Sequence, residues 1–189
     1  MGARGGRAGG RGYTRAMDID PELQRILIAA RSMLARAATD PDDDLHWPVL
    51  ASVAPGPGGG TAPDARTVVL RHCTPDARRL EVHSDAQAGK IAQLSANPRV
   101  CLVGYHRARR TQLRLWGRAG IHQGDALAAA RWSALPVHSR GIYGEDPSRF
   151  AVLAVDVLRI DWLLLDPAGH QRAAFDWSDG TLRAGWLAA

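Results

Sequence analysis

Apolar residues recur at helical spacing early in the chain, where Leu23, Ile26, Leu27, Ala30 and Leu34 fall on one stripe. Asp20-Pro21 before them supplies an N-cap and a proline at the first helical position. The pattern predicts an amphipathic helix over 21–38, ended by the acidic run 40–44. Beyond it the period shortens. Residues 47–54 read as a strand, 55–63 (PGPGGGTAP) as a flexible loop, and 66–73 (RTVVLRHC) as one strand with a β-branched centre. A turn at Pro75-Asp76 leads to a return strand over 79–84. A short helix over 86–95 stops before Asn97-Pro98, and a strand follows over 99–106. After a basic turn, 111–121 alternates, with Leu113, Leu115 and Gly117 on one face and Gln112, Arg114, Trp116 and Arg118 on the other. Residues 124–134 are helical in composition, 150–165 hold one or two strands and 172–177 another, and the chain closes on Trp186-Leu187. Short strands at hairpin spacing with a few helices predict a mainly β (α+β) fold, a small antiparallel barrel with peripheral helices.

Composition narrows the picture further. A length of 189 residues suits one domain, expected over 17–189. Residues 1–16 are Gly-Arg rich with almost nothing to bury, and disorder is expected there. A flexible tail, or an upstream start with Met17 as the first residue of the fold, is preferred to an RNA-binding segment. The formal charge of +5 looks like a nucleic-acid signal, but Arg4, Arg7, Arg11 and Arg15 supply four of those charges. The remainder is close to neutral, so nucleic acid is not the expected partner. No run of eighteen apolar residues and no export leader is present, so no membrane association is expected. Cys73 and Cys101 lie in separate apolar runs, which fits a reducing cytoplasm and no disulfide scaffold.

The histidines are scattered without metal-ligand spacing, and no metal site is expected. Nucleophile-elbow, phosphate-loop and dinucleotide fingerprints are all absent. One order of residues carries chemistry. Arg66 and Arg71 bracket a strand, His83-Ser84 ends the next, Lys90 stands at a helix start, and Asn97-Pro98-Arg99-Val100 and Gln112 follow. Cations near a hydroxyl and a helix start suit a phosphate dianion.

That order and spacing resemble the pyridoxamine 5'-phosphate oxidase-like family of FMN-binding split barrels. The likeness is sharpest over 66–118. It continues more loosely through Ile160-Asp161-Trp162, His170-Gln171-Arg172 and Trp186. The resemblance implies a split β-barrel homodimer with FMN at the subunit interface. Arg66, Arg71, Ser84 and Lys90 would hold the phosphate and ribityl chain, with His83 beside Ser84. The backbone of Thr67, Val68, Val69 and Leu70 would run along the flavin, and Gln112, Trp162 and Arg172 would reach it from the second subunit. The implied activity is that of a flavin oxidoreductase on an unidentified small molecule, with no side chain assigned as catalytic. The alternative is a flavin- or haem-binding barrel without turnover.

The sequence also departs from the family pattern. Gly89 replaces a helix-start Arg, and His83 replaces a Tyr. Around Pro136, the positions that clamp the family's pyridine substrate are Arg131, Leu135 and Ser139, and a further substrate Arg is Ala168. The cofactor site is expected to persist and the substrate pocket to differ, with poor oxidation of pyridoxamine 5'-phosphate.

Overall fold

Asp20 accepts the Glu22 amide at 2.8 Å, and Pro21 opens helix α1 (Pro21–Ala37) as the sequence predicts. The computed structural model describes residues 14–15, 19–56 and 58–188. The strands are β1 (Thr14–Arg15), β2 (Val49–Pro55), β3 (Thr61–Thr67), β4 (Leu70–Cys73), β5 (Arg79–Asp85), β6 (Arg99–His106), β7 (Thr111–His122), β8 (Phe150–Leu164), β9 (Gln171–Asp176) and β10 (Arg183–Leu187). Helix α2 (Gly89–Ala96) sits between β5 and β6, while α3 (Ala126–Ala134) and α4 (Val137–Arg140) sit between β7 and β8.

All strand pairs are antiparallel. The order β3-β2-β6-β7-β8-β5-β4 makes a ring that the chain itself closes where β3 runs into β4. Strands β9, β10 and β1 branch outward from β8. The architecture is a split barrel. Leu50, Leu70, Leu80, Val82, Leu102, Leu113, Leu115 and Val155 fill the barrel, and Leu23, Leu27 and Leu34 of α1 join the same core. A void of only about 10 Å³ lies beside Leu70, Leu80, Leu102, Leu113 and Leu115, so this part of the interior is packed side chain and holds no ligand-sized space.

Of the one or two strands expected over 150–165, the structure has one, the 15-residue β8. Its first half pairs with β5 and its second with β9, while β7 follows it throughout. The change of partner falls at a bulge. Trp116 faces Arg159 and Gly117 faces Val157, which leaves Leu158 as the extra residue. The Leu158 carbonyl accepts the Trp177 amide at 2.7 Å instead. A Cβ on Gly117 would stand 2.3 Å from the Asp156 carbonyl oxygen. Gly117→Ala is therefore expected to cost at least about 1–3 kcal/mol through overpacking against backbone, read as a lower urea midpoint at unchanged slope.

Two segments differ from expectation. The loop placed at 55–63 is only its first half, because Thr61 already begins β3. Three glycines at positive φ (Gly58, Gly59 and Gly60) reverse the chain, and β3 pairs with β2 even through Pro63, opposite Val53. A proline fits because β3 is the last strand on that path. Residues 66–73 form two strands, not one. The Val68 amide turns to the Pro48 carbonyl at 2.9 Å, so Arg66 stays with β2 while Arg71 belongs to β4 against β5. At the N-terminus Thr14–Arg15 pair with β10, and the remaining residues of the expected disordered segment lie outside those described.

Candidate functional site

Arg66, Ser84 and Lys90 meet at one end of the barrel. Lys90 Nζ donates to Ser84 Oγ at 3.0 Å, and Ser84 is buried at the end of β5. Arg66 donates to Ser52 Oγ at 2.6 Å, to Gln93 Oε1 at 2.9 Å and to the Asp64 carboxylate. Gln93 Nε2 donates to Asp64 at 2.7 Å and closes the network. Gln93 lies one turn beyond Lys90 on α2, so the helix braces both cations. Burial, and next the Arg66 charge, hold the Lys90 ammonium below its usual range, with Asp85 opposing. Lys90 has no carboxylate ion pair among the described residues; Asp85 pairs with Arg149. Two cations held together in this way suit an anion. A Cβ on Gly89 would meet nothing within 4 Å, so the missing helix-start arginine leaves open space. Gly89 and Gln93 also line a largely apolar groove of about 560 Å³ between α2 and the β2–β3 hairpin.

Arg71 stands on the next strand, β4. Leu70 faces Val82 and His72 faces Glu81, so Arg71 is the extra residue of a bulge. It is exposed and makes no hydrogen bond or ion pair among the described residues. Its charge acts on His83 and Tyr143. Both His83 ring nitrogens are enclosed without a partner, and the ring stands edge-on to Phe150 at 4.9 Å. Burial, then Arg71, lowers the imidazole to about 4. Tyr143 and Trp132 also pack on Phe150, at 5.1 and 5.5 Å. Glu81, two residues before His83, is 3% exposed and takes a bidentate pair from Arg131 at 2.6 and 3.0 Å. Between Arg66 and Arg71, Val68 and Leu70 are buried in the core, Thr67 ends β3 and Val69 is half-buried.

Gln112, Trp162 and Arg172 lie elsewhere in the chain. Ser84 faces Ala151 and Gln112 faces Leu163, twelve residues farther along β8. At the rise of a strand that is roughly 40 Å of chain. Gln112 and Arg172 flank Leu163 in one row. Trp162 is 8% exposed and packs in the core. Asp161, buried beside it, accepts from Arg114, Arg159 and Arg172 at 2.8–2.9 Å. Of the other substrate-clamp positions, Leu135 packs beside Tyr143 and Phe150, and Ala168 is exposed. Ser52, Asp64, Glu81, Gln93 and Tyr143 were not foreseen from the sequence, and Asp161 only as the neighbour of Trp162. Only Gln93 carried a local signal, its spacing of three from Lys90.

The split barrel places the chain among proteins of known family. Residues 29–123 match the family described as pyridoxamine 5'-phosphate oxidase, FMN-binding domain, and the chain belongs to that family. A pyridoxamine 5'-phosphate oxidase-related, FMN-binding protein of Nostoc punctiforme has a similar structure (TM-score 0.70, 21% identity, 92% of this chain and all of that one). PhzG of Burkholderia lata, solved with tetrahydrophenazine-1-carboxylic acid, follows at TM-score 0.62, with 15% identity over 90% of this chain and 98% of its own. A Clostridium acetobutylicum protein related to general stress protein 26 gives 0.58, with 12% identity over 85% of this chain and 99% of its own. No curated protein matches the chain.

Proposed function

We propose that the chain is an FMN-dependent oxidoreductase acting on a small molecule, as a cytoplasmic homodimer. The observation that carries this reading is the Lys90 ammonium on Ser84 Oγ, beside Arg66 and without a carboxylate of its own. Arg66, Ser84 and Lys90 fit a phosphate through charge-assisted hydrogen bonds, and the start of α2 adds favourable potential. FMN, when bound, supplies the redox chemistry, while the protein supplies binding, orientation and electrostatics. Gln93 and Asp64 fix the Arg66 guanidinium, so little ordering is left for binding.

The span between Ser84 and Gln112 along β8 supports the dimer: Gln112 and Arg172 reach the cradle of a second copy, not their own. Val49 and Tyr105, each more than a third exposed, lie on the same outer face as this row and suit a covered surface. No helix among the described residues is long and apolar enough to cross a membrane. Both cysteines are free, which suits a reducing compartment such as the cytoplasm.

The test is the absorbance spectrum of the purified protein, followed by anaerobic reduction with NADPH. A flavin band bleached by NADPH is the expected result. A haem band, or a flavin that no donor reduces, overturns the oxidoreductase. Lys90→Ala is expected to weaken FMN by about 1.5–3 kcal/mol, the scale of a hydrogen bond to a charged group, and to leave riboflavin affinity nearly unchanged. Because the Lys90 ammonium titrates below its usual 10.5, wild-type FMN affinity should decline on the alkaline side before that pH is reached. Fluorescence titration checks both. Light scattering should show a dimer, and a monomer that binds FMN tightly contradicts the shared site.

A further inference from the structure

We propose that the groove between α2 and the β2–β3 hairpin holds a nucleoside joined to the cradled phosphate, so that the flavin is bound as flavin adenine dinucleotide (FAD), with its adenosine half along the groove. The proposal rests on the flavin reading and deepens it by naming the whole ligand. FAD contains FMN as one half, so the contacts of the cradle stay as described.

The first observation is continuity. The groove, about 560 Å³, falls within the roughly 300–1,000 Å³ of ordinary small-molecule sites. Helix α2 forms one wall of it and also carries the cradle. Gln93 lines the groove, while its amide accepts from Arg66 and donates to Asp64. Gly89 lines it beside Lys90. An added Cβ on Gly89 would meet nothing within 4 Å, so no side chain separates this helix start from the groove. A substituent on a phosphate held by Lys90 and Arg66 therefore has the groove beside it.

The second observation is charge. The phosphate of FMN is a monoester of about −1.5 to −2 at neutral pH, whereas each phosphate of a dinucleotide carries a single charge. This cradle is short of cations for a dianion. The family's helix-start arginine is Gly89, and Asp64 takes up part of the Arg66 charge. Asp64 stays ionised, because the Gln93 hydrogen bond and then the Arg66 charge hold its carboxyl below the usual range.

The third observation is the lining, which carries no charged side chain. Val53 and Ala92 give apolar surface for the face of a base. Thr61 and Asn97 stand in the same lining with hydrogen-bonding groups to spare. The Asn97 side-chain oxygen accepts the Arg99 amide at 3.2 Å, but its nitrogen and the Thr61 hydroxyl make no hydrogen bond among the described residues. Ribose hydroxyls and ring nitrogens would use both, and a hydrocarbon chain would use neither.

The experiment titrates the full chain, freed of flavin, with FAD, FMN and AMP by calorimetry at neutral pH. Wild type is expected to bind FAD more tightly than FMN by about tenfold or more, and AMP should bind and be displaced by FAD. Ala92→Trp fills the groove from an exposed helix position. It should bring FAD down to the affinity of FMN and leave FMN unchanged, which also shows that the fold is intact. Gly89→Arg should narrow the gap from the other side, by strengthening FMN. Equal binding of FAD and FMN by wild type, or an unchanged ratio in Ala92→Trp, overturns the proposal and leaves the flavin reading standing. AMP bound with neither flavin would instead overturn the flavin reading and keep the nucleoside in the groove.

Discussion

Replacing Asp161 with alanine is expected to remove about 3 kcal/mol of stability or more, on the scale of breaking a buried ion pair from one side. The carboxylate is 2% exposed and accepts from Arg114 and Arg172 on one oxygen and from Arg159 on the other. Without it, Arg114 and Arg172 lose the carboxylate they share across β7, β8 and β9, while Arg159 keeps Asp176 at 3.9 Å. The three arginines are 23–31% exposed, so water relieves part of the cost and places the loss near the lower end of the range. Trp116 holds Arg114 and Arg159 against its ring at 4.9 and 5.5 Å, which limits their escape. Urea unfolding of Asp161→Ala measures the effect. A loss under about 1 kcal/mol would show that these arginines rearrange into solvent at little cost.

Acidification is expected to weaken the fold through His83. In the unfolded chain this imidazole takes a proton near 6.5, whereas burial in the folded protein delays it to about 4. Between those values the unfolded state binds more protons, so stability falls as pH drops through the window and the loss levels off below it. The full contribution is about 3 kcal/mol. Arg71 and Arg131 oppose the charged form, and Glu81 favours it. His83→Leu should remove this slope. The comparison is the difference in unfolding free energy between wild type and variant at pH 7.5 and 4.5, which cancels the carboxylates common to both. An equal pH dependence in the two proteins would show that His83 charges freely in the folded state.

Where burial and local chemistry act together, sequence was enough. Strand β6 covers the expected 99–106, α1 begins at its Asp-Pro cap, and the Leu113-Leu115-Gly117 face read from alternation is the buried face of β7. The β3–β4 break escaped because Val68 and Val69 continue a β-branched run, and only the distant Pro48 carbonyl turns the chain aside. Strand β3 was hidden by the prolines and glycines around it, residues that an edge position tolerates. Within the candidate site, the order Arg66, Ser84, Lys90 was visible because β3, β5 and α2 deliver it within one short stretch of chain. That Arg66 and Arg71 fall on different strands was not visible, because a bulge has no local signature. The Glu81–Arg131 pair joins residues fifty positions apart, and the arginines around Asp161 come from three strands, so neither could be read from spacing.

The branching of β8 also governs the order in which the chain can assemble. Until residue 150 exists, the β4–β5 hairpin and the β2–β3–β6–β7 sheet have no strand to join them, and each keeps an unpaired edge. A ribosome must therefore release most of the polypeptide before the barrel can close, and when it does, one late strand completes the barrel and founds the outer sheet together. Such non-local closure is slow. During synthesis the waiting edges of β5 and β7 are the places where a nascent chain of this protein is most exposed to mispairing with its neighbours.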